Sequence, residues 1–389
     1  MQRELYTEDH EAFRRTVRAF VERHVRPNLE RWDAERLIDR DVWAAAAEAG
    51  VLGLSVAEEY GGGGVDDFRF RCIVMEELAR VGAAALHSAL SVHDDIVTPY
   101  VAELGNADQR ERWLPGIASG EVIGAIAMTE PGTGSDLRGI TTTARATGTE
   151  WVLDGQKTFI SNGIQSDVVV VVAQTVTDAG PLGLSLFLVG RDTPGFSRGR
   201  KLDKVGLHAQ DTAELFFDGA VLPGEALLGK AGQGLRYLKE RLPRERLAIA
   251  VWAVAAAESV CTWTQDYCAS RSAFGAPIDR LQHVRFVLAA MATETEIVRT
   301  YVDAQIRALD SGTLTATDAA KAKWWSTDTQ LRVTDRGVQL HGGYGYMMEY
   351  PVAKAFVDSR VQSIYGGTNE IMQDIVGREI VGRNERRPR

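Results

Sequence analysis

Long apolar runs are scarce in this 389-residue chain. The longest unbroken one extends only from Leu247 to Ala257, well short of the roughly 20 residues a membrane-crossing helix requires. We therefore expect no membrane span. Cysteine is scarce too. Cys72, Cys261 and Cys268 form no CxxC pair, and their scatter fits neither a disulfide framework nor a zinc site. They are expected to be ordinary reduced residues, and no metal centre is expected. An excess of basic charge is also missing, since the formal net charge is −9. That balance argues against a protein that binds nucleic acid by neutralising phosphates, but local arginines and backbone N–H groups can still hold an anionic ligand. The segment from Met1 to His10 has no apolar centre of a secretory signal and carries Glu4, Glu8 and Asp9, whereas transit peptides are poor in acids. A cytoplasmic protein is the expectation.

Hydrophobic residues make up 45% and charged residues 25%, an ordinary globular balance with enough chain for two or three cooperating units. From Thr7 to Ser119 the pattern is helical. Phe13, Val17, Phe20 and Val21 share one face, with Thr7 as N-cap. Asp41 to Ala49 reads as a short helix capped by Asp41 and ended by Gly50. From Glu121 to Leu228 the pattern turns strand-like. Val168 to Ala173 and Leu184 to Val189 are apolar runs, and Thr141 to Ala146 followed by Trp151 to Leu153 predicts a hairpin. Short strands without intervening helices suggest a small antiparallel barrel or sandwich. From Gly232 onward the pattern is helical again, with a long buried helix over Leu247 to Val260 and another over Arg285 to Leu309. The expected organisation is an N-terminal all-helical domain over 1–120, a central β domain over 121–231 and a C-terminal helical domain over 232–389. A basic end, Arg383 to Arg389, closes the chain.

Two motifs mislead. Gly224 to Ala231 approaches a P-loop, but Ala231 stands where a Ser or Thr would hold Mg²⁺. Gly132-Thr133-Gly134 begins like a dinucleotide fingerprint, but Leu137 occupies the third glycine position. The stretch Met128-Thr129-Glu130-Pro131-Gly132-Thr133-Gly134-Ser135-Asp136 has another character. It follows a short apolar strand and exposes backbone N–H groups and hydroxyls that suit an anionic or hydrogen-bond-accepting ligand.

That stretch resembles the signature of the acyl-CoA dehydrogenase family. Four more matches follow in the family's order: Gln156 to Gly163, Arg271 to Gln282, Gln339 to Tyr346, and Ile364 to Ile371. The resemblance spans essentially the whole chain and implies an α+β fold: N-terminal helices, a small antiparallel β-barrel and a C-terminal four-helix bundle. It implies FAD, contacted by Met128, Thr129, Gly134 and Ser135, with Phe159, Ile160 and Ser161 flanking the flavin ring. Many relatives carry Trp and Thr where this chain has Phe159 and Ser161; Phe keeps an aromatic wall and Ser a hydroxyl donor. Arg271, Phe274, Gln282, Gln339, Gly342 and Gly343 resemble residues that hold the FAD pyrophosphate and adenosine across a subunit contact, where an arginine fork suits phosphate. Thr368 and Glu370 match further flavin-contact positions. Ser135 would also lie near the CoA arm, and Arg246 and Gly367 would help place substrate.

The chemistry needs a carboxylate beside the substrate α-carbon. Most relatives carry it on the C-terminal loop, where this chain has Gly366. The long-chain and isovaleryl types carry it on a different helix, and Glu245 falls at that position. The segment from Tyr350 to Glu370 is also closest to the long-chain type. The resemblance implies Glu245 as base, with the Gly366 N–H stabilising the thioester carbonyl as negative charge develops. From local sequence alone, Glu245 could instead be a solvated glutamate pairing with Arg241, Arg244 or Arg246, and Arg246 could form a surface ion pair. Pro243 suggests a helix start or kink. Burial would raise the pKa of Glu245, whereas a first-turn position would lower it, so no net direction is predicted. Glu370 is the rival base.

The implied reaction is oxidation of a saturated acyl-CoA thioester to its 2-enoyl product. The implied electron acceptor is an electron-transferring flavoprotein, and the implied assembly a homotetramer. An acyl-carrier-protein thioester as substrate, an oxygen-using oxidase or monooxygenase on the same scaffold, and a non-catalytic FAD- or acyl-CoA-binding module are the alternatives.

Overall fold

A computed structural model describes residues 3–385; Met1, Gln2 and residues 386–389 of the basic end lie outside it. Seven helices come first: α1 (Glu8–Phe20), α2 (Leu29–Glu35), α3 (Asp41–Glu48), α4 (Phe68–Arg80), α5 (Ala84–Ser91), α6 (Thr98–Leu104) and α7 (Ala107–Ser119). Thr7 is the N-cap of α1 as expected, its backbone N–H donating to His10 Nδ1 at 3.2 Å. The Asp41 expectation is off by one residue. Arg40 is the cap and Asp41 the first helical residue, where its charge still favours the positive end of the helix dipole. Between α5 and α6 the chain forms one π-helical segment, Val92–Val97.

Eight strands then build one sheet: β1 (Gly124–Ala127), β2 (Thr143–Thr147), β3 (Glu150–Ser161), β4 (Val168–Thr177), β5 (Gly180–Gly190), β6 (Phe196–Lys201), β7 (Thr212–Pro223) and β8 (Leu227–Leu228). The order is β6-β7-β3-β2-β4-β5-β8, with β1 also pairing β4. The expected hairpin is the β2–β3 pair. Pairing is not antiparallel throughout, however: β1 and β2 both run parallel to β4. The reason lies in the connections. The chain leaves β1 through the Met128 to Asp136 turn and re-enters the sheet on β2 in the same sense, which a tight hairpin could not achieve. Val168 to Ala173 is buried on both faces, so it reads as a continuous apolar run rather than an alternating one.

The short β9 (Ser272–Ala273) and β10 (Ala276–Pro277) form a separate hairpin between α8 (Gly234–Ser270) and α9 (Gln282–Asp310); α10 (Ala316–His341), α11 (Pro351–Ser359) and α12 (Asn369–Glu385) follow. In this C-terminal part, α10 packs on α8, α9 and α12, and α8 also packs on α9 and α4. By length and composition α8 could cross a membrane, its most apolar stretch having a mean hydropathy of 1.5. Of that stretch 61% is buried inside the fold, so α8 is the core helix that joins the N- and C-terminal helical groups. Pro243 neither starts nor ends it. The helix simply continues through, burying Leu247, Ala250, Val251 and Val254, and that packing outweighs the roughly 3 kcal/mol an interior proline costs.

Candidate active site

Glu245 sits twelve residues into α8, so the first-turn dipole argument does not apply to it. Its side chain is buried at 6% exposure, and its nearest hydrogen-bond partner is the hydroxyl of buried Tyr100 on α6, which donates to Oε1 across 3.4 Å. The three arginines that could have neutralised a solvated glutamate are engaged elsewhere. Arg241 pairs with Glu103 at 2.5 Å, Arg244 lies over the Phe68 ring, and Arg246 donates from Nε to the Gly366 carbonyl at 3.3 Å. Burial pushes the Glu245 carboxyl up to about 7, against the opposing pull of Arg246, the Tyr100 hydroxyl and Arg241. A carboxyl held there is half ionised near neutrality, the range in which a general base works best.

Glu370, the rival, has the opposite character. It is exposed in the first turn of α12, and its own backbone N–H together with Thr368 holds its pKa below the usual carboxylate range. Such a group is a weak proton acceptor.

Gly366 and Gly367 face Glu245's helix from the loop before α12. Gly366 has φ 64° and Gly367 φ 91°, a region that side chains rarely tolerate. A Cβ on Gly366 would fall 2.4 Å from Ile249 Cδ1, one turn beyond Glu245. Glycine is therefore what lets this loop approach α8. Among the described residues neither the Gly366 nor the Gly367 N–H meets a protein acceptor. The structure thus brings Glu245, Arg246, Gly366 and Gly367 together, and adds Tyr100 and Lys323, which sequence reasoning missed. Lys323 donates to the Gly367 carbonyl at 2.8 Å. A signal for it existed: a lysine following Ala319, Ala320 and Ala322 lies on the buried face of α10.

A second group forms on the sheet. Lys157 is buried on β3 and donates to the Met128 carbonyl at 3.0 Å and to Glu130 Oε1 at 2.9 Å. The Thr158 N–H donates to the Thr129 carbonyl at 2.9 Å. Glu130 also accepts from both the N–H and hydroxyl of Thr141 and from the Thr142 N–H, and these bonds hold its pKa down to about 2 despite burial. The Met128 to Ser135 turn and the Phe159 to Ser161 strand end are in this way fixed to each other. The β3–β7 ladder slips between Lys157 and Ile160, and in that bulge Phe159 adopts φ 59° with its ring 68% exposed. A left-handed backbone costs an aromatic residue roughly 1–2 kcal/mol, and the exposed ring recovers nothing within the chain. Gly134 and Ser135 are exposed in the adjoining turn, and Ile160 is buried behind it.

The third group is remote. Arg271 follows the end of α8, about 38 Å along the helix from Glu245 at 1.5 Å per residue. Its guanidinium lies 5.9 Å over the Tyr344 ring, beside the turn carrying Gly342 and Gly343. Phe274 at the tip of the β9–β10 hairpin has φ 53° and is 96% exposed, and Gln282 and Gln339 are exposed as well. A Cβ on Gly342 or Gly343 would meet nothing within 4 Å. This end of the chain therefore presents a fork of donors and an aromatic ring to its surroundings rather than to its own Glu245.

These features fit FAD: two exposed aromatic rings on strained backbone, an exposed arginine, and open glycine and hydroxyl turns. Comparison with known proteins agrees. The descriptions Acyl-CoA dehydrogenase, N-terminal domain, middle domain and C-terminal domain match residues 7–121, 125–220 and 232–381. Together with the fold they define an oxidoreductase that uses FAD. The mitochondrial long-chain specific acyl-CoA dehydrogenase of Sus scrofa is 45% identical over 381 residues, covering 97% of this chain and 88% of that protein. The acyl-CoA dehydrogenase of Bacillus subtilis (strain 168) is 36% identical over 380 residues, covering 97% and 99%. The crystal structure of acyl-CoA dehydrogenase from Geobacillus kaustophilus superposes with a TM-score of 0.94 at 46% identity, covering 97% of this chain and 100% of that one. The glutaryl-CoA dehydrogenase of Mycobacterium smegmatis in complex with FADH2 superposes at 0.91 with 30% identity, covering 97% and 96%. The chain belongs to the acyl-CoA dehydrogenase family.

Proposed function

We propose that the protein oxidises a saturated acyl-CoA thioester to the trans-2-enoyl-CoA, with Glu245 removing the α-proton. The observation that carries this reading is the buried Glu245 carboxyl, in no direct ion pair among the described residues, facing a loop whose Gly366 N–H meets no acceptor there. The base needs to be an ionised carboxylate that no cation locks in an ion pair, with a pKa near neutrality, and burial on α8 supplies that pKa. Bound FAD supplies the acceptor for the β-hydride.

The substrate carbonyl would accept from the Gly366 N–H. Withdrawing charge there acidifies the α-carbon and stabilises the negative charge left as Glu245 takes the proton. Arg246 holds the Gly366 carbonyl and so orients the loop, and its position beside Gly367 also suits it to placing substrate. Met128, Thr129, Gly134 and Ser135 would meet the flavin from one side, Phe159, Ile160 and Ser161 would flank its ring, and Thr368 and Glu370 would approach it from the C-terminal loop. Because Arg271 is so far from Glu245 in its own chain, it would serve, with Phe274, Gln282, Gln339, Gly342 and Gly343, the FAD of a neighbouring copy. A homotetramer follows from that reading. Electrons would leave to an electron-transferring flavoprotein, and a cytoplasmic location is proposed.

Anaerobic mixing with saturated acyl-CoAs of increasing length, followed by flavin absorption, tests this proposal. Rapid bleaching by a range of chain lengths is expected. Flavin that no acyl-CoA reduces, but that an acyl-carrier-protein thioester does, would transfer the proposal to that substrate. Substrate-dependent peroxide formation would replace it with an oxygen-using reaction.

A further inference from the structure

Lys323 lies beside the candidate site with no exposed surface. Its Nζ donates to the Gly367 carbonyl at 2.8 Å and to Asn369 Oδ1 at 2.9 Å. Among the described residues it has no ion-pair partner. Asp328, one turn on, is committed elsewhere: its Oδ1 accepts from Asn369 Nδ2 and its Oδ2 from Trp324 Nε1, both at 2.8 Å. Thr327 Oγ1 also accepts from Asn369 Nδ2, at 2.9 Å. From the opposite side, Arg246 on α8 donates to the Gly366 carbonyl. Two basic side chains from two helices therefore hold two consecutive carbonyls.

The loop needs such holding. Two adjacent glycines at positive φ have the widest choice of backbone conformation of any dipeptide. Left free, the peptide planes would rotate and carry their N–H groups with them, since each N–H lies in one rigid plane with the preceding C=O. Fixing the Gly366 and Gly367 carbonyls fixes the two planes that follow the Gly366 N–H. Burial of an ammonium without an ion pair is costly, and here burial, aided by nearby Arg246 and opposed by Asp328 and Glu370, pushes the pKa of Lys323 down to about 7. The amine tolerates this because even its neutral form has two N–H donors, matching the two acceptors present.

We propose that Lys323 is a positioning residue for the thioester carbonyl: by holding the Gly367 carbonyl it removes the freedom of the Gly366–Gly367 backbone, so that the adjoining Gly366 N–H stays aimed at the oxygen on which negative charge develops. This rests on the proposed function of the same site. A mere structural tether between α10 and α12 would be served by Asn369 bonding to Thr327 and Asp328, without a lysine reaching past it to Gly367.

The test compares the FAD-loaded parent with Lys323→Met and Lys323→Arg by three readouts. In Lys323→Met, backbone amide deuterium exchange over residues 364–371 is expected to quicken while the rest of the chain is unchanged. The saturating rate of flavin reduction by acyl-CoA should fall roughly 10- to 100-fold, somewhat less than the loss of an oxyanion donor itself. The half-saturating concentration should change by less than about threefold, because ground-state binding is spread over the whole CoA chain. In difference infrared spectra, the carbonyl stretch of a bound carbonyl-13C 2-enoyl-CoA should move back towards its value in solution. Lys323→Arg, which keeps donors, should recover part of each. Should Lys323→Met fail to fold, Lys323→Gln, with one donor group, carries the same expectations at smaller size. Parental exchange, rate and carbonyl stretch in a folded Met or Gln variant would overturn the proposal. So would a slower rate with an unmoved carbonyl stretch, which would show a structural role only. The exchange readout needs no turnover. If acyl-CoA fails to reduce the parent's flavin, the proposed function falls, and exchange over 364–371 still decides whether Lys323 holds the loop.

Discussion

Two buried lysines, Lys157 and Lys323, each pin a turn of the candidate site, and they do so on different terms. Lys157 is paired: Glu130 lies 2.9 Å away and is held fully ionised by Thr141 and Thr142. Lys323 has only a carbonyl and an amide oxygen. Burial lowers the pKa of both, to about 8 at Lys157 and about 7 at Lys323. The difference separates a scaffold from a working surface. On the sheet, charge is cancelled internally and the Met128 to Ser135 turn is simply fixed. At the Gly366–Gly367 loop, among the described residues, no carboxylate forms an ion pair with Lys323 or Arg246; Asp328 and Glu370 only offset part of the effect of burial on Lys323, and the buried Glu245 carboxyl is left free to gain and lose a proton. The same contrast holds for the two candidate bases, buried Glu245 and exposed Glu370.

The largest effect should come from setting those two glutamates against each other. Glu245→Gln is expected to slow flavin reduction by about 10³-fold or more, within the range for losing a general base, with FAD retained. Glu370→Gln should keep most of the rate. Reversed results in stopped-flow traces would move the base to α12.

Next come the two lysines. Lys157→Met leaves the ionised Glu130 buried and unpaired, a change worth about 3–5 kcal/mol. Lys323→Met orphans only neutral acceptors, at about 1–3 kcal/mol. Denaturant unfolding should therefore show Lys157→Met as the less stable of the two. Equal losses would erase the distinction drawn between the two sites.

Stability should also depend on pH through Glu245. Its folded pKa is raised from the ordinary 4.5 to about 7, so the folded state binds the extra proton between those values. Its contribution is fully present below about 4.5 and is lost as pH rises through about 7. Relative to the parent, Glu245→Gln should gain stability between pH 5 and pH 8, by at most roughly 3 kcal/mol at 1.36 kcal/mol per unit. Melting temperatures at the two pH values measure it, and a variant that is equally or less favoured at pH 8 would contradict the burial argument.

The smallest effect concerns Gly366. Gly366→Ala adds a methyl group against Ile249 Cδ1 at a left-handed position, which should cost about 1–2 kcal/mol. Adding Ile249→Val removes that Cδ1 and should restore part of the loss, leaving the backbone strain. No recovery in the double variant would mean that the contact does not limit the loop's approach.

Much of this was legible in the sequence, for identifiable reasons. The β2–β3 hairpin, the Val168 run and the helical spacing of α8 and α9 are local patterns, and local patterns survive folding. The parallel pairing of β1 and β2 with β4 was not, because register and direction depend on where a loop returns. Pro243 misled because propensity was read without the packing that overrides it. Glu245 was found through the resemblance, and its burial could not be read from a segment flanked by Arg241, Arg244 and Arg246. Those arginines pair with Glu103, Phe68 and Gly366, partners remote in sequence. Tyr100 and Lys323 were missed for the same reason: each acts on a residue more than forty positions away.

The central claim is that a buried carboxyl on α8, and no group on the C-terminal loop, takes the proton. The most direct measurement is the pH dependence of anaerobic flavin reduction at limiting acyl-CoA, which reports the free enzyme's base. With Glu245 as that base, the rate climbs through about pH 7 as its carboxyl ionises. A rate that is flat from about pH 5.5 to 9, or that breaks only in the ordinary carboxylate range near 4, would contradict it.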